Sequence, residues 1–185
     1  TGAIDGLTNA FFETAAGFTT TGSSIVPDPG ELGKGILFWR ALTQWIGGMG
    51  IIVLSIAILP ALGVGGVELA RAESPGPRPD RLTPRFRETA KRLWLVYLGL
   101  TVLEIVLLAF GDMSLFEGIA HAFTTMSTGG FGTDAASLGG FSAYSQWVVI
   151  VFMTMAGASF ALHFRALRRP VEYTRSTEFR LYLSV

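Results

Sequence analysis

The stretch Gly17-Phe-Thr-Thr-Thr-Gly-Ser-Ser24, together with its later counterpart Thr124-Thr-Met-Ser-Thr-Gly-Gly-Phe-Gly-Thr133, decides the fold of this chain. Both stretches are rich in threonine, serine and glycine, which are weak helix formers. Each follows a short apolar segment, at residues 4–16 and 115–123. Because about 20 helical residues are needed to cross a bilayer, segments of this length favour helices that enter a membrane without spanning it. Non-helical backbone at that depth must be buried in protein or line a water-filled cavity.

Three longer apolar segments accompany these loops, at residues 35–62, 93–110 and 143–164. Each is long enough to cross the hydrocarbon core as a helix. The chain is 50% hydrophobic and 15% charged, whereas soluble domains usually carry about 25% charged residues. The shortest segment alone could be a buried helix of a soluble protein. Three of them in one chain predict an all-α, polytopic membrane protein.

The order of short helix, threonine-glycine loop, polar exit and long helix occurs twice. Aligning Gly22 with Gly129 also aligns Thr21 with Thr128. Each loop is followed by aspartate and glycine residues and then by a tryptophan-bearing helix. We interpret the two copies as a repeated membrane module.

The distribution of positive charge predicts the orientation in the membrane. Of the 14 lysine and arginine residues, only Lys34 and Arg40 lie outside the segments at residues 71–92 and 165–180. Under the positive-inside rule, these two basic segments are cytoplasmic and the loops enter from outside. Acidic residues predominate around the loops, where they either raise the local cation concentration or are simply solvated. The net charge of zero gives no bias towards nucleic acid.

Nothing in the residues indicates an enzyme. The chain has no cysteine, and its two histidines, His121 and His163, have no partner at metal-ligand spacing. Neither a Ser-His-Asp order nor a glycine-rich phosphate loop stands out. The sequence therefore predicts neither catalysis nor a bound cofactor.

The threonine-glycine loops have the composition of a cation filter. A cation that leaves water needs replacement oxygens, which an extended backbone can supply as a row of carbonyls. Glycine permits the backbone angles and the close approach, and threonine hydroxyls add further oxygens. The short helix before each loop directs its negative dipole end towards the ion. The candidate ion-binding residues are Thr20, Thr21, Gly22, Ser23, Ser127, Thr128, Gly129 and Gly130.

Several stretches resemble one known family. The segment Phe38-Trp-Arg-Ala-Leu-Thr-Gln-Trp-Ile-Gly-Gly-Met-Gly-Ile-Ile-Val53 is similar to a helix that follows a pore loop in the bacterial TrkH branch of the Trk/Ktr/HKT potassium transporter superfamily. The first loop resembles the second pore loop of that superfamily, and Met126-Ser-Thr-Gly-Gly-Phe131 resembles the third. Met155-Ala-Gly-Ala-Ser-Phe-Ala-Leu-His163 resembles the break in the second helix of the third repeat.

The resemblance implies a potassium-channel-like architecture of four repeats, each with a first helix M1, a pore helix, a filter and a second helix M2. On this basis we expect an internal fragment of a longer protein. Repeat two, without its M1, occupies residues 1–62, a cytoplasmic linker 63–86 and repeat three 87–164. Residues 165–185 form a second linker and the start of M1 of repeat four. Two of the four repeats cannot conduct alone.

The resemblance also implies roles for particular residues. The filter glycines of the family correspond to Gly22 and Gly129. Some HKT relatives have serine in place of the first-loop glycine and favour sodium, whereas both loops here keep glycine, which fits potassium. The family's gating loop corresponds to residues 154–161, and its candidate residues are Ala156, Gly157, Ala158 and Ser159. Small-residue helix packing without a gating role is the alternative.

As a whole, the resemblance implies potassium uptake across a bacterial plasma (inner) membrane, with potassium as the transported ion and no cofactor. The implied partners are the remaining repeats of the same protein, the lipid bilayer, a second copy in a homodimer and a cytoplasmic nucleotide-binding regulatory subunit of the TrkA or KtrA type. Two alternatives stay open. One is a sodium-permeable or weakly selective relative, and the other is a non-conducting membrane scaffold subunit.

Overall fold

The computed structural model describes residues 4–58, 84–167 and 169–184, which form helices and loops without a strand. The predicted cytoplasmic linker lies outside the described residues as far as residue 83, as do the last residues of the first long apolar segment. A short 3-10 turn occupies Pro29–Glu31. The α-helices are α1 (Leu7–Phe18), α2 (Lys34–Ile58), α3 (Pro84–Ala109), α4 (Leu115–Met126), α5 (Ala143–Ala156), α6 (Phe160–Ala166), α7 (Val171–Arg175) and α8 (Thr177–Ser184).

Among the described residues, two helices have the length and composition of membrane spans, Lys34–Leu54 within α2 and Glu88–Ala109 within α3. They confirm the first two predicted spanning segments. The third predicted segment, residues 143–164, consists of α5 and α6, which meet at a bend of 99° within the stretch where the resemblance implied a break. Gly157 ends α5 and Ser159 precedes α6. Glycine and serine have weak helix propensity, so the break falls where the helix is easiest to interrupt.

Helices α1 and α4 correspond to the two short helices predicted before the loops, and each has 12 residues. Both run further than their apolar segments, because α1 continues to Phe18 and α4 to Met126. A capping box between Ser114 and Glu117 starts α4. At about 1.5 Å per residue neither helix can cross a bilayer, which agrees with the predicted non-spanning elements.

The two repeats share one core. Tyr97 of α3 and Met126 of α4 are fully buried beside Phe152 of α5. Trp45 of α2 stacks on Phe123 with ring centroids 5.1 Å apart. Trp45 also packs against this core, and its carbonyl oxygen accepts a hydrogen bond from the Tyr97 hydroxyl at 3.0 Å. The long helix of the first repeat is therefore packed directly against the second repeat.

Candidate ion filter

Helix α1 ends in a Schellman motif that leads into the first loop. The amide of Thr20 donates to the Gly17 carbonyl at 3.0 Å, and the amide of Thr21 donates to the Ala16 carbonyl at 3.1 Å. This pattern places the residue after the helix in the left-handed region, a position usually taken by glycine. Here it is Thr20, with φ of 54°, and Gly22 follows with φ of 74°. The backbone thus has positive φ at alternate residues.

Helix α4 ends in the same motif. The amide of Thr128 donates to the Thr125 carbonyl at 2.9 Å, and the amide of Gly129 donates to the Thr124 carbonyl at 2.9 Å. Thr128 has φ of 56° and Gly130 has φ of 80°. Two loops at distant places in the chain therefore have one backbone conformation.

This conformation corrects the register between the repeats. It equates Thr20 with Thr128 and Gly22 with Gly130, whereas the sequence alignment paired Gly22 with Gly129 and was wrong by one residue. The dipeptide Thr-Gly misled the alignment, because the second loop has two consecutive glycines. The end of the preceding helix, not the glycine itself, determines the register.

A threonine with positive φ is strained, because its branched Cβ crowds the backbone. Such positions cost about 1–3 kcal/mol each and persist where the surroundings impose them. Hydrogen bonds hold both loops in place. The hydroxyl of Thr19 donates to the Ala15 carbonyl at 2.7 Å and contacts the Thr21 hydroxyl at 2.8 Å. The hydroxyl of Ser127 donates to the Phe123 carbonyl at 2.8 Å.

The two loops touch each other at their glycines. A Cβ at Gly22 would overlap the carbonyl oxygen of Gly129, and a Cβ at Gly129 would overlap the side-chain amide of Gln44. Gly130 has no atom near the corresponding position, so its positive φ alone favours glycine there. Close packing therefore requires glycine at two of the three positions, against a backbone carbonyl at Gly22 and against a side chain at Gly129.

The candidate residues divide into three groups by exposure. Thr21, Ser23, Thr128 and Gly130 are exposed. Ser127 and Gly129 are buried, as Gln44 is, and the Ser127 hydroxyl faces its own helix. Thr20 and Gly22 are half-buried. The exposed residues are accessible to solvent, whereas the buried ones pack against the protein interior.

Two polar residues of α2 support the loops from behind, and neither is among the candidate ion-binding residues named from the sequence. Gln44 is fully buried, and its Oε1 accepts from the Phe131 amide at 3.1 Å, directly after the second loop. Arg40 is also buried and forms an ion pair with Glu13 of α1 at 2.7 Å. The only signal in the sequence was that Arg40 and Gln44 interrupt an otherwise apolar segment.

Most of the acidic residues near the loops accept hydrogen bonds from the protein. Asp112 accepts from the Ser142 hydroxyl at 2.6 Å, the Ser145 hydroxyl at 2.6 Å and the Ser142 amide at 2.7 Å. These bonds, led by that from the Ser142 side chain, lower the pKa of Asp112 to about 2. Glu117 caps α4, and Glu13 is paired with arginine. Structural roles therefore account for acids that could have lined an outer mouth.

The break between α5 and α6 is held from two sides. A carbonyl oxygen can only accept, so His163 donates from Nε2 to the Met155 carbonyl at 2.8 Å. Its Nδ1 then accepts from the Tyr173 hydroxyl at 2.7 Å. A Cβ at Gly157 would overlap the hydroxyl of Tyr182 on α8. The elements that follow α6 thus contact both the broken helix end and its glycine.

Comparisons with known proteins identify the family of this chain. The family model described as TrkH, a cation transport protein, matches residues 3–182. The Trk system potassium uptake protein TrkH of Vibrio parahaemolyticus is 45% identical over 185 residues, which is 97% of this chain and 38% of that protein. TrkH of Escherichia coli K12 is 46% identical over 183 residues, with the same coverage of both chains. TrkG of Escherichia coli K12 is 37% identical over 181 residues, which is 96% of this chain and 37% of that protein.

A solved structure has the same fold. The crystal structure of the potassium transporter TrkH from Vibrio parahaemolyticus matches with a TM-score of 0.85 and 40% identity, over 97% of this chain and 36% of that one. The chain spans 38% of the length of the first two relatives. The resemblance found in the pore loops and the α2 segment is thereby confirmed. With the family model matching nearly every residue, the chain belongs to the TrkH family of cation transport proteins.

Proposed function

We propose that this chain supplies two quadrants of the pore of a potassium uptake protein in a bacterial plasma membrane. The observation that carries the proposal is the shared loop conformation, with positive φ at Thr20 and Gly22 and again at Thr128 and Gly130. Alternation of positive and negative φ turns successive carbonyls towards one side. Carbonyls on one side are what a cation needs in place of its hydration shell.

The relatives named as potassium uptake proteins support potassium as the ion. We infer that the filter is formed from residues 20–23 and 127–130. The exposed residues of the two loops would contribute the oxygens that bind the ion. The first M1, the remaining two filter loops and their helices would come from the rest of the intact protein. We assign residues 1–62 to repeat two and residues 87–164 to repeat three.

We further propose that the break between α5 and α6 is the gate of this pore. Two observations support this proposal, the 99° bend and the small side chains at the break, which belong to Ala156, Gly157, Ala158 and Ser159. The backbone is already non-helical at this point, so the break could change conformation without unfolding α5 or α6. Packing of small residues without gating is the competing interpretation. Replacement of Gly157 by alanine, discussed below, separates the two.

Assembly is proposed from family resemblance. We expect a homodimer in the inner membrane that binds a cytoplasmic nucleotide-binding subunit of the TrkA or KtrA type. Purification of the intact protein with and without that subunit, followed by measurement of mass in detergent, would test both interfaces.

The filter assignment is tested by Gly22→Ser in the full-length protein, produced in bacteria that lack their own potassium uptake. We expect lower uptake of K⁺ and Rb⁺ relative to Na⁺, because a side chain at Gly22 would displace the Gly129 carbonyl. Gly50→Ser on α2 is the matched control, since a Cβ at Gly50 meets no atom within 4 Å.

The two alternatives predict other results. Equal Na⁺ and K⁺ uptake by the unaltered protein would point to a weakly selective relative. Unchanged flux and selectivity in Gly22→Ser would favour the scaffold subunit.

A further inference from the structure

The ion pair between Glu13 and Arg40 lies directly behind the two loops. Glu13 is on the short helix α1 and Arg40 on the long helix α2, and their side chains are 3% and 5% exposed. Oε1 of Glu13 accepts from Nε of Arg40 at 3.0 Å and from Nη2 at 2.7 Å. A buried pair of this kind is costly to desolvate and costly to break, so it holds its two helices in one arrangement.

The ion pair also binds the backbone that leaves the first loop. The Ser24 hydroxyl donates to Oε1 of Glu13 at 2.8 Å, and Nη2 of Arg40 donates to that same hydroxyl at 2.9 Å. The amide of Ile25 donates to Oε2 of Glu13 at 3.0 Å. Both carboxylate oxygens are therefore used, and the residues immediately after Ser23 are tied to the pair.

The arginine reaches the second loop as well. Its guanidinium carbon lies 4.3 Å from the centroid of the Phe131 ring, the residue that follows Gly130. A guanidinium over an aromatic face is attractive, and more so when it is shielded from water. Gln44 holds the amide of the same phenylalanine. One buried arginine thus contacts the exits of both loops, although they belong to different repeats.

We infer that Glu13 and Arg40 are positioning residues for ion selectivity. This inference rests on the proposed function of the loops as a filter. By joining the exits of both loops, the pair sets their separation and resists their contraction around an ion smaller than K⁺. Arg40 does not face the ion path, because it is buried and its charge is balanced by Glu13. Lysine cannot replace it fully, since an ammonium lacks the planar fork and the stacking face.

The test uses Arg40→Lys and Glu13→Gln in the full-length protein, with Rb⁺ and Na⁺ uptake measured per amount of folded protein in the membrane. We expect the Rb⁺-to-Na⁺ uptake ratio to fall on the order of tenfold, which corresponds to about 1.4 kcal/mol. Arg92→Lys is the matched control, because Arg92 forms an exposed ion pair with Glu88 on α3. That variant should keep the ratio of the unaltered protein.

Equal losses of Rb⁺ and Na⁺ uptake, with an unchanged ratio, would overturn the inference and leave the pair a purely structural role. If Arg40→Lys fails to reach the membrane, Phe131→Leu carries the test, since it keeps the ion pair and removes only the ring. An unchanged ratio in Phe131→Leu would also overturn the inference. Gly22→Ser is measured in parallel. If it too leaves the ratio unchanged, the filter assignment itself fails, whereas a change in Gly22→Ser alone rejects only the role of the ion pair.

Discussion

Replacement of Gly129 by alanine should lower both stability and ion uptake, because the new methyl group would overlap a neighbouring side chain. A second substitution that shortens this neighbour should restore part of the loss. Gly129 does not have positive φ, so alanine fits its backbone conformation. The obstacle is the side-chain amide of Gln44, which occupies the place of the new methyl group. Insertion of a methyl into a packed site costs about 1–3 kcal/mol. We therefore expect a clear fall in Tm for Gly129→Ala and a loss of Rb⁺ uptake.

Gln44→Ala removes the obstacle and should reduce the cost of Gly129→Ala. By itself Gln44→Ala costs about 1–3 kcal/mol, since the buried Phe131 amide loses its acceptor. In this background, the added methyl of Gly129→Ala enters space that the glutamine has left. Residues in contact have coupling energies of about 0.5–3 kcal/mol, and we expect a favourable value in this range.

The assay is thermal unfolding of the four full-length proteins in one detergent, with Rb⁺ uptake as the functional measurement. Gly22→Ala is the matched control, because its obstacle is the carbonyl oxygen of Gly129 and its φ is 74°. Truncation of a side chain cannot relieve either of these, so Gln44→Ala should not rescue Gly22→Ala. Equal destabilisation by Gly129→Ala in both backgrounds would refute the packing argument.

Three further expectations follow from other contacts. Gly157→Ala should alter the open fraction of the pore in single-channel recordings, and Tyr182→Phe should restore it, because the added methyl overlaps the Tyr182 hydroxyl. If Gly157→Ala leaves the open fraction unchanged, packing of small residues without a gating role is favoured. The stabilising effect of Asp112 relative to Asp112→Asn should be present at neutral pH and disappear as pH falls from 3.8 to about 2, measured as Tm. Glu104→Leu should keep or raise Tm, since the contact of this buried carboxyl with the Thr125 side chain does not complete a hydrogen bond among the described residues, and such burial costs about 1–3 kcal/mol. A large fall in Tm would mean that Glu104 has a partner elsewhere in the protein.

Much of this arrangement was predictable from local composition. The lengths of the apolar segments predicted α2 and α3 as spanning helices and α1 and α4 as short ones. The threonine-glycine stretches predicted where the helices stop, to within a few residues. These predictions were reliable because the length of an apolar segment and the helix propensity of a stretch depend only on residues adjacent in the sequence.

Other features needed the folded chain. The break at Gly157 follows from family resemblance but not from hydrophobicity, because the segment is apolar throughout. The register between the loops depends on the end of each short helix, which alignment of two glycines could not reveal. The role of the acidic residues was open between raising the local cation concentration and simple solvation, and the sequence could not show that Glu13 is instead paired, because its partner Arg40 is 27 residues away.

The sequence by itself determined an all-α membrane protein with two short helices, two threonine-glycine loops and a match to one transporter family. These properties are set by runs of adjacent residues and by the transfer free energy of apolar side chains. Only the tertiary structure decided that Gly22 corresponds to Gly130, that Gln44 requires glycine at position 129 and that one arginine contacts the exits of both loops. The physical reason is that these depend on contacts between residues far apart in the chain, and no local pattern encodes which distant atoms will meet.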